Sequence, residues 1–292
     1  MIAVRLQGRL GNQLFQYAFA LYVAEQLNTP FYLDQYMERS SIHQYFDVDT
    51  NKAEAFSLYL SSISGFRNIF NFRGRRFFNR AVNNYYGLKI KEYPFANTDP
   101  EFDLEDNTLY IGYFQSAYFA GAIEQLLRKK LSLKKNYTDN FNKKFNTLYR
   151  DKNIVTIHIR QTDFKALGHL NLGADDLSLP LSYYRNSLAA VSKDTNTHYI
   201  FISDAPEFVE QNFGDINPKT ISRESEITDF QHMLNADICI TSNSTFSWWA
   251  AWLNNKANKK VCCPKYYMGF HLKQQVPQNI YPANWNQIDF EC

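Results

Sequence analysis

Three short apolar runs in this chain, Ile2–Leu6, Ile154–Ile159 and Ile238–Ile240, each end in a cluster of glycine or polar residues and lead on to helix-forming sequence. Runs with so little charge fit strands buried on both faces. That requires a mainly parallel sheet with helices packed over it, joined by strand–turn–helix units. Among the 292 residues, 45% are hydrophobic, which is enough to fill two ordinary cores.

Around these anchors the alternation predicts strands at Leu109–Phe114, Tyr199–Ile202, Asp237–Thr241 and Val261–Cys263. Helices are expected at Asn12–Leu27, Ser116–Lys130, Tyr183–Val191, Glu226–Leu234 and Ser244–Leu253. Between about Asp34 and Thr108 no period is sustained and aromatics are scattered, so short helices and long loops are expected. The charged stretch Lys134–Asn146 suggests a boundary. The expected domains are residues 1–150, with the irregular aromatic-rich insertion, and residues 151–292, a Rossmann-like nucleotide-binding domain with its ligand at the carboxyl ends of the strands.

Charge excludes some partners. Lysine and arginine total 31 against 29 acids, a net of +2, too weak a field to argue for nucleic acid or a membrane surface. An anionic ligand must therefore be held locally. Cys239, Cys262, Cys263 and Cys292 form no CxxC pair, so neither a disulfide framework nor a metal site is expected. The start, MIAVRLQGRLGNQ, has no apolar signal region and no run of about 18 apolar residues follows, so the expectation is a soluble cytoplasmic protein.

Three constellations carry candidate chemistry. In His158-Ile-Arg160-Gln-Thr-Asp163, strand alternation separates the two polar side chains from Ile157 and Ile159. A guanidinium at a strand exit matches phosphate oxygens with its planar fork, although Arg160 and Asp163 could equally pair across the turn as a structural tie. In Thr241-Ser-Asn243-Ser244-Thr245, small polar groups meet a helix start, where partial positive charge favours phosphate; a simple helix cap explains one of them but not all. Trp248 and Trp249 are expected to pack in the core. In Gly8-Arg9-Leu10-Gly11-Asn12-Gln13 the glycines allow close backbone approach, but the third glycine of a dinucleotide fingerprint is missing, and Asn12 or Gln13 could serve as caps.

The segments GRLGNQLFQYAFALYVA from Gly8, GYFQSAYF from Gly112, HIRQTDF from His158, LPLSYYRNSL from Leu179, FISDAPEFV from Phe201 and DFQHMLNADICITSNSTFSWWAAWL from Asp229 together resemble the glycosyltransferase family 11 α-1,2-fucosyltransferases, in family order over nearly the whole chain. The resemblance implies a GT-B-like α/β fold of two facing Rossmann-like domains with a cleft between them, residues 1–150 on the acceptor side and residues 151–292 binding GDP-fucose. It implies inverting transfer of L-fucose to the 2-hydroxyl of a terminal β-galactoside, with no cofactor and no metal.

Residue by residue, the resemblance implies that Arg160 contacts the donor diphosphate and His158 orients donor groups, with Asn12 near the donor and Gly8 and Gly11 shaping its turn. Asn243, Ser244 and Thr245 would line the nucleotide site, Asp204 would border it, and Asp163 is a candidate base. Gln161 stands where the family commonly has a second arginine, leaving phosphate neutralisation to Arg160. Three other readings stay open: a carbohydrate-binding protein without catalysis, a transferase for another nucleotide sugar, and a different acceptor or linkage. Phe66–Arg80 interleaves arginine with phenylalanine; it reads as a partly buried structural element, or as a surface for a lipid-linked or anionic acceptor at the inner membrane.

Overall fold

Ile2, Ala3 and Val4 have no solvent exposure. They form β1 (Ile2–Arg5), which pairs in parallel with β2 (Phe31–Asp34) on one side and β4 (Thr108–Ile111) on the other. With β3 (Lys89–Glu92) they make a four-stranded sheet of order β2-β1-β4-β3. The computed structural model describes residues 1–48, 69–95, 103–191 and 195–291.

Helix α1 (Leu10–Leu27) is buried along most of its length, because its sequence is apolar all round rather than on one stripe. Phe19 stacks on Phe114 with ring centroids 3.8 Å apart and meets Phe119 edge-on. Among the described residues this unit also has the helices α2 (Ser41–Tyr45), α3 (Ile69–Tyr85), α4 (Ala117–Ala122) and α5 (Glu124–Lys130). The single helix expected over Ser116–Lys130 breaks at Ile123, whose backbone leaves the helical region. The stretch expected to be irregular contains a 17-residue helix, α3. Of the segment Phe66–Arg80, residues 66–68 lie outside the described residues; the rest lies in α3, where Asn79 is buried and Phe77 exposed.

The second unit carries α6 (Lys135–Asp151), β5 (Asn153–Ile159), α7 (Leu181–Ala190), β6 (Thr197–Ser203), α8 (Pro206–Asn212), β7 (Lys219–Ile221), α9 (Glu226–Leu234), β8 (Ile238–Ile240), α10 (Thr245–Leu253), β9 (Lys260–Pro264) and β10 (Asn286–Ile288). Its six strands are parallel in the order β10-β9-β8-β5-β6-β7. Val155, Ile157 and Ile159 enter a core with Tyr183, Tyr184, Phe201 and Phe213 on the α7 face. Trp248 and Trp249 of α10 are buried, as their size leads one to expect.

The compact units are Met1–Leu133 and Lys134–Cys292. Their division precedes α6, whereas residue 150 falls inside its last turn. The charged stretch expected to mark the boundary forms an amphipathic helix: Phe141 and Phe145 set their rings 5.1 and 4.5 Å from the ring of His232 on α9. Among the described residues no helix is long and apolar enough to cross a membrane.

Candidate active site

From β5 the chain builds β6 and β7 on one side and β8, β9 and β10 on the other. The carboxyl ends of β5 and β8 therefore flank the point where strand order reverses, the usual ligand crevice of an open parallel sheet. Ile157 stands opposite Ile240 in this pair, so the residues just beyond them meet at the crevice.

His158 is buried, and its Nδ1 lies 2.8 Å from Ser242 Oγ. Burial, reinforced by the neighbouring Arg160 charge, pushes the imidazole down to about 3, so it is neutral at physiological pH. It can orient a group by hydrogen bonding but adds no positive charge. That charge belongs to Arg160. Its fork is engaged by Asp163, Nε to Oδ1 at 2.7 Å and Nη2 to Oδ2 at 2.6 Å. The structural-tie alternative is thus present in the fold, without removing Arg160 from the crevice edge.

Asp204, just beyond β6, holds this turn in shape. Oδ1 accepts the Gln161 N–H at 2.9 Å, and Oδ2 accepts the Thr162 N–H at 3.1 Å and the Thr162 hydroxyl. Arg160 Nε lies 3.4 Å from Oδ2. Burial raises the carboxyl, but the bonds from Thr162 and Gln161 and the Arg160 charge outweigh it and hold it below the usual range. With both oxygens engaged by protein donors, Asp204 fits a turn-former better than a ligand contact. Gln161 turns inward, buried, with Nε2 3.4 Å from the Leu179 carbonyl.

At the start of α10, Ser244 is the cap, its Oγ accepting the Phe246 N–H at 3.3 Å. Asn243 does other work. It is 1% exposed, donates from Nδ2 to the Leu177 carbonyl at 2.8 Å, and leaves Oδ1 without a hydrogen-bond partner. A buried unmatched acceptor beside Thr245 and the helix-start amides suits a ligand that donates as well as accepts.

The first unit presents its own turn at the carboxyl end of β1. Gly8 has φ +72°, and a Cβ there would sit 2.4 Å from Asn12 Nδ2. Only glycine fits, which explains the tight entry into α1. Gly11 and Asn12 lie in the first helical turn, and Asn12 Oδ1 accepts from Gln115 Nε2 at 3.1 Å. Gln13 is a strut rather than a cap: Nε2 donates to the Gly8 and Arg39 carbonyls and Oε1 accepts the Ser41 N–H. Gln16 likewise joins the Gln7 N–H to the Gly112 carbonyl.

The structure therefore gathers His158, Arg160, Asp163, Asp204, Asn243, Ser244 and Thr245 at one sheet edge of the second unit. Gly8, Gly11 and Asn12 occupy the corresponding edge of the first. Among the described residues no three His, Cys, Asp or Glu side chains are grouped to hold a metal ion.

The family description "Glycosyl transferase family 11" matches residues 1–289. The chain belongs to glycosyl transferase family 11. A curated relative, an α-1,2-colitosyltransferase of Escherichia coli, is 26% identical over 275 residues, covering 87% of this chain and 88% of its own. Two solved fucosyltransferase folds also match this family 11 chain. NodZ, an α-1,6-fucosyltransferase soaked with GDP-fucose, gives a TM-score of 0.51 at 13% identity over 88% of this chain and 96% of its own. POFUT1 in complex with GDP gives 0.52 at 13% identity over 90% and 97%. These likenesses establish the fold: a GT-B-like α/β architecture with parallel sheets in two Rossmann-like halves.

The segment that begins at Asp229 resembles the family without assigning that aspartate a role. Asp229 on α9 accepts a hydrogen bond from Ser222, and burial, with Glu224 and Glu226 nearby, pushes its carboxyl up to about 6. The next residue, Phe230, places its ring 5.4 Å from Phe246, whose ring is 5.7 Å from His158. Its signal in the sequence was an acid set among Ile227, Phe230 and Met233 in an apolar helix stripe.

Proposed function

We propose that this family 11 glycosyltransferase moves L-fucose from GDP-fucose to the 2-hydroxyl of a terminal β-galactoside, inverting the anomeric centre. The observation that carries the reading is the guanidinium of Arg160 beside neutral His158 and the polar start of α10, at the reversal point of a parallel sheet. GDP leaves as the sugar carbon acquires oxocarbenium character, and negative charge grows on the diphosphate. Arg160 and the amides at the α10 start are fixed donors for that charge, which is the term that usually contributes most. Asp163 gives up its place on Arg160 to the diphosphate and is then the candidate base for the acceptor hydroxyl. Asn12, on its Gly8–Gly11 turn, is assigned to the donor, and Asn243 and Thr245 to the nucleoside. We assign the reaction no metal ion and no cofactor.

NodZ supports GDP-fucose by what was soaked into it, POFUT1 supports a GDP-linked donor by the GDP in its complex, and the colitosyltransferase supports an α-1,2 linkage by its name. That relative also favours one second reading, in which the transferred sugar is colitose. Incubation with GDP-fucose and lactose in EDTA, with a colitose donor in parallel, tests both. The expected result is released GDP and a trisaccharide cut by an α-1,2-specific fucosidase. GDP release without transfer would discard lactose as acceptor, and absence of both release and GDP binding would discard the donor.

A further inference from the structure

Two buried amide side chains flank the first turn of α1, each with one polar atom unmatched. Gln35, just past β2, is 1% exposed; its Oε1 accepts the Ser40 N–H at 3.1 Å and its Nε2 has no partner. Because the group it faces is an N–H, the amide cannot be reversed, and the unmatched atom is the donor. Gln115, past β4, is 3% exposed; Nε2 donates to Asn12 Oδ1 and Oε1 has no partner. Gln16, equally buried, has both ends bonded, so deep burial of a glutamine in this unit does not by itself leave atoms unmatched.

The strand order β2-β1-β4 sets the two amides on opposite flanks of β1. Each keeps its own unmatched atom, so neither amide is the other's missing partner. Both are tied to the same turn. Gln115 reaches it through Asn12, and Gln35 through Ser40, whose neighbour Ser41 donates to Gln13. The α1 start between them has no side-chain cap.

With Gln115 bonded to Asn12 through Nε2, the ligand that completes this arrangement accepts from Gln35 and donates to Gln115. A phosphate or carboxylate only accepts and would face the Gln115 carbonyl oxygen unfavourably; an ammonium only donates. Hydroxyl groups do both, and a sugar ring presents several at fixed spacing. We propose that Gln35 and Gln115 form a sugar subsite in the first unit, reading two hydroxyls of one carbohydrate over the start of α1. The proposal leans on the transferase reading only to name the two sources of that carbohydrate, the transferred sugar or the acceptor glycan.

Gln35→Glu keeps an acceptor for Ser40 and turns the unmatched donor into an acceptor. Gln115→Met keeps the volume and removes the unmatched oxygen. Removing a partner from a buried polar group costs heavily, so both variants should raise the KM of the same substrate by about tenfold or more and leave the other KM unchanged. A rise for the galactoside assigns the subsite to the acceptor; a rise for GDP-fucose assigns it to the transferred sugar. Saturation-transfer NMR of wild-type protein with monodeoxy lactosides and fucosides keeps the test decisive if a variant fails to fold, since two hydroxyl positions should each be needed for the signal. Unchanged KM values in folded variants, or no sugar signal from wild type, would overturn the proposal and assign both amides to water. Sugar binding without GDP binding by calorimetry would instead remove the donor assignment and leave the subsite standing.

Discussion

The carboxylate of Asp163 closes the fork of Arg160 with two hydrogen bonds, at 2.7 and 2.6 Å, from three residues further along the same turn. A diphosphate presents the same pair of oxygens. The two anions therefore compete for one guanidinium, and nucleotide affinity includes the cost of displacing Asp163. The side chain of Asp163 is 48% exposed, so solvent screening keeps this cost small, within about 1 kcal/mol. Asp163→Asn should bind GDP more tightly, by up to about fivefold. Calorimetry checks this, and equal or weaker binding would show that the pair serves only to shape the turn.

Arg160 itself should be indispensable. Loss of one fixed donor to developing charge typically costs about 100-fold or more in turnover. Arg160→Ala should lower kcat/KM by at least that factor in a folded protein, and Arg160→Lys should recover little, because an ammonium cannot reproduce the planar fork. Single-turnover kinetics alongside a thermal melt separates this from misfolding. Unaltered turnover in Arg160→Ala would remove Arg160 from the chemistry.

Gly8→Ala should fail through geometry. Its φ is +72° and the new methyl carbon would stand 2.4 Å from Asn12 Nδ2, so both the turn and Asn12 must shift. Strain of this kind costs roughly 1–3 kcal/mol. A fall in Tm together with weaker transfer is expected; a wild-type Tm would show that the turn relaxes freely.

Acid stability should follow three buried groups. His232 is pushed down to about 4 and His158 to about 3, in each case mainly by burial. Their contributions are complete above the unfolded value near 6.5 and are lost as pH falls toward the folded values. Asp229, raised to about 6, has the opposite sign: its contribution is complete below the unfolded value of 3.8 and is lost as pH rises toward 6. Near pH 5 the unfolded chain thus binds two more protons at the histidines and one fewer at Asp229, a net of one (2 − 1). From these groups stability should rise by about 1.4 kcal/mol per pH unit there. His232→Gln should flatten that slope and Asp229→Asn should steepen it, as read from urea unfolding between pH 4.5 and 5.5. An unchanged slope in both variants would assign the acid sensitivity elsewhere.

What was legible in the sequence was local and periodic. His158 and Arg160 stood out because alternation put polarity where a buried strand should carry none, and Ile154–Ile159 and Glu226–Leu234 announced themselves by composition and period. The short strands β7 and β10 did not, since three residues each owe their extension to the neighbours they pair with. Helix α6 read only as a charged stretch near a boundary because its apolar stripe is narrow, and what defines it is a histidine on another helix. The roles of Asp204 and Gln161 depended on backbone N–H groups and a carbonyl contributed by other segments, which residue type alone does not reveal.

Gln13 and Gln16 direct their amides to main-chain atoms of three separate segments, so two of the most conspicuous letters of GRLGNQLFQ are joinery. A descendant that abandoned sugar transfer would keep them for as long as it kept the sheet. Their presence in another chain therefore certifies the architecture of the amino-terminal unit and says nothing about whether that chain still turns over.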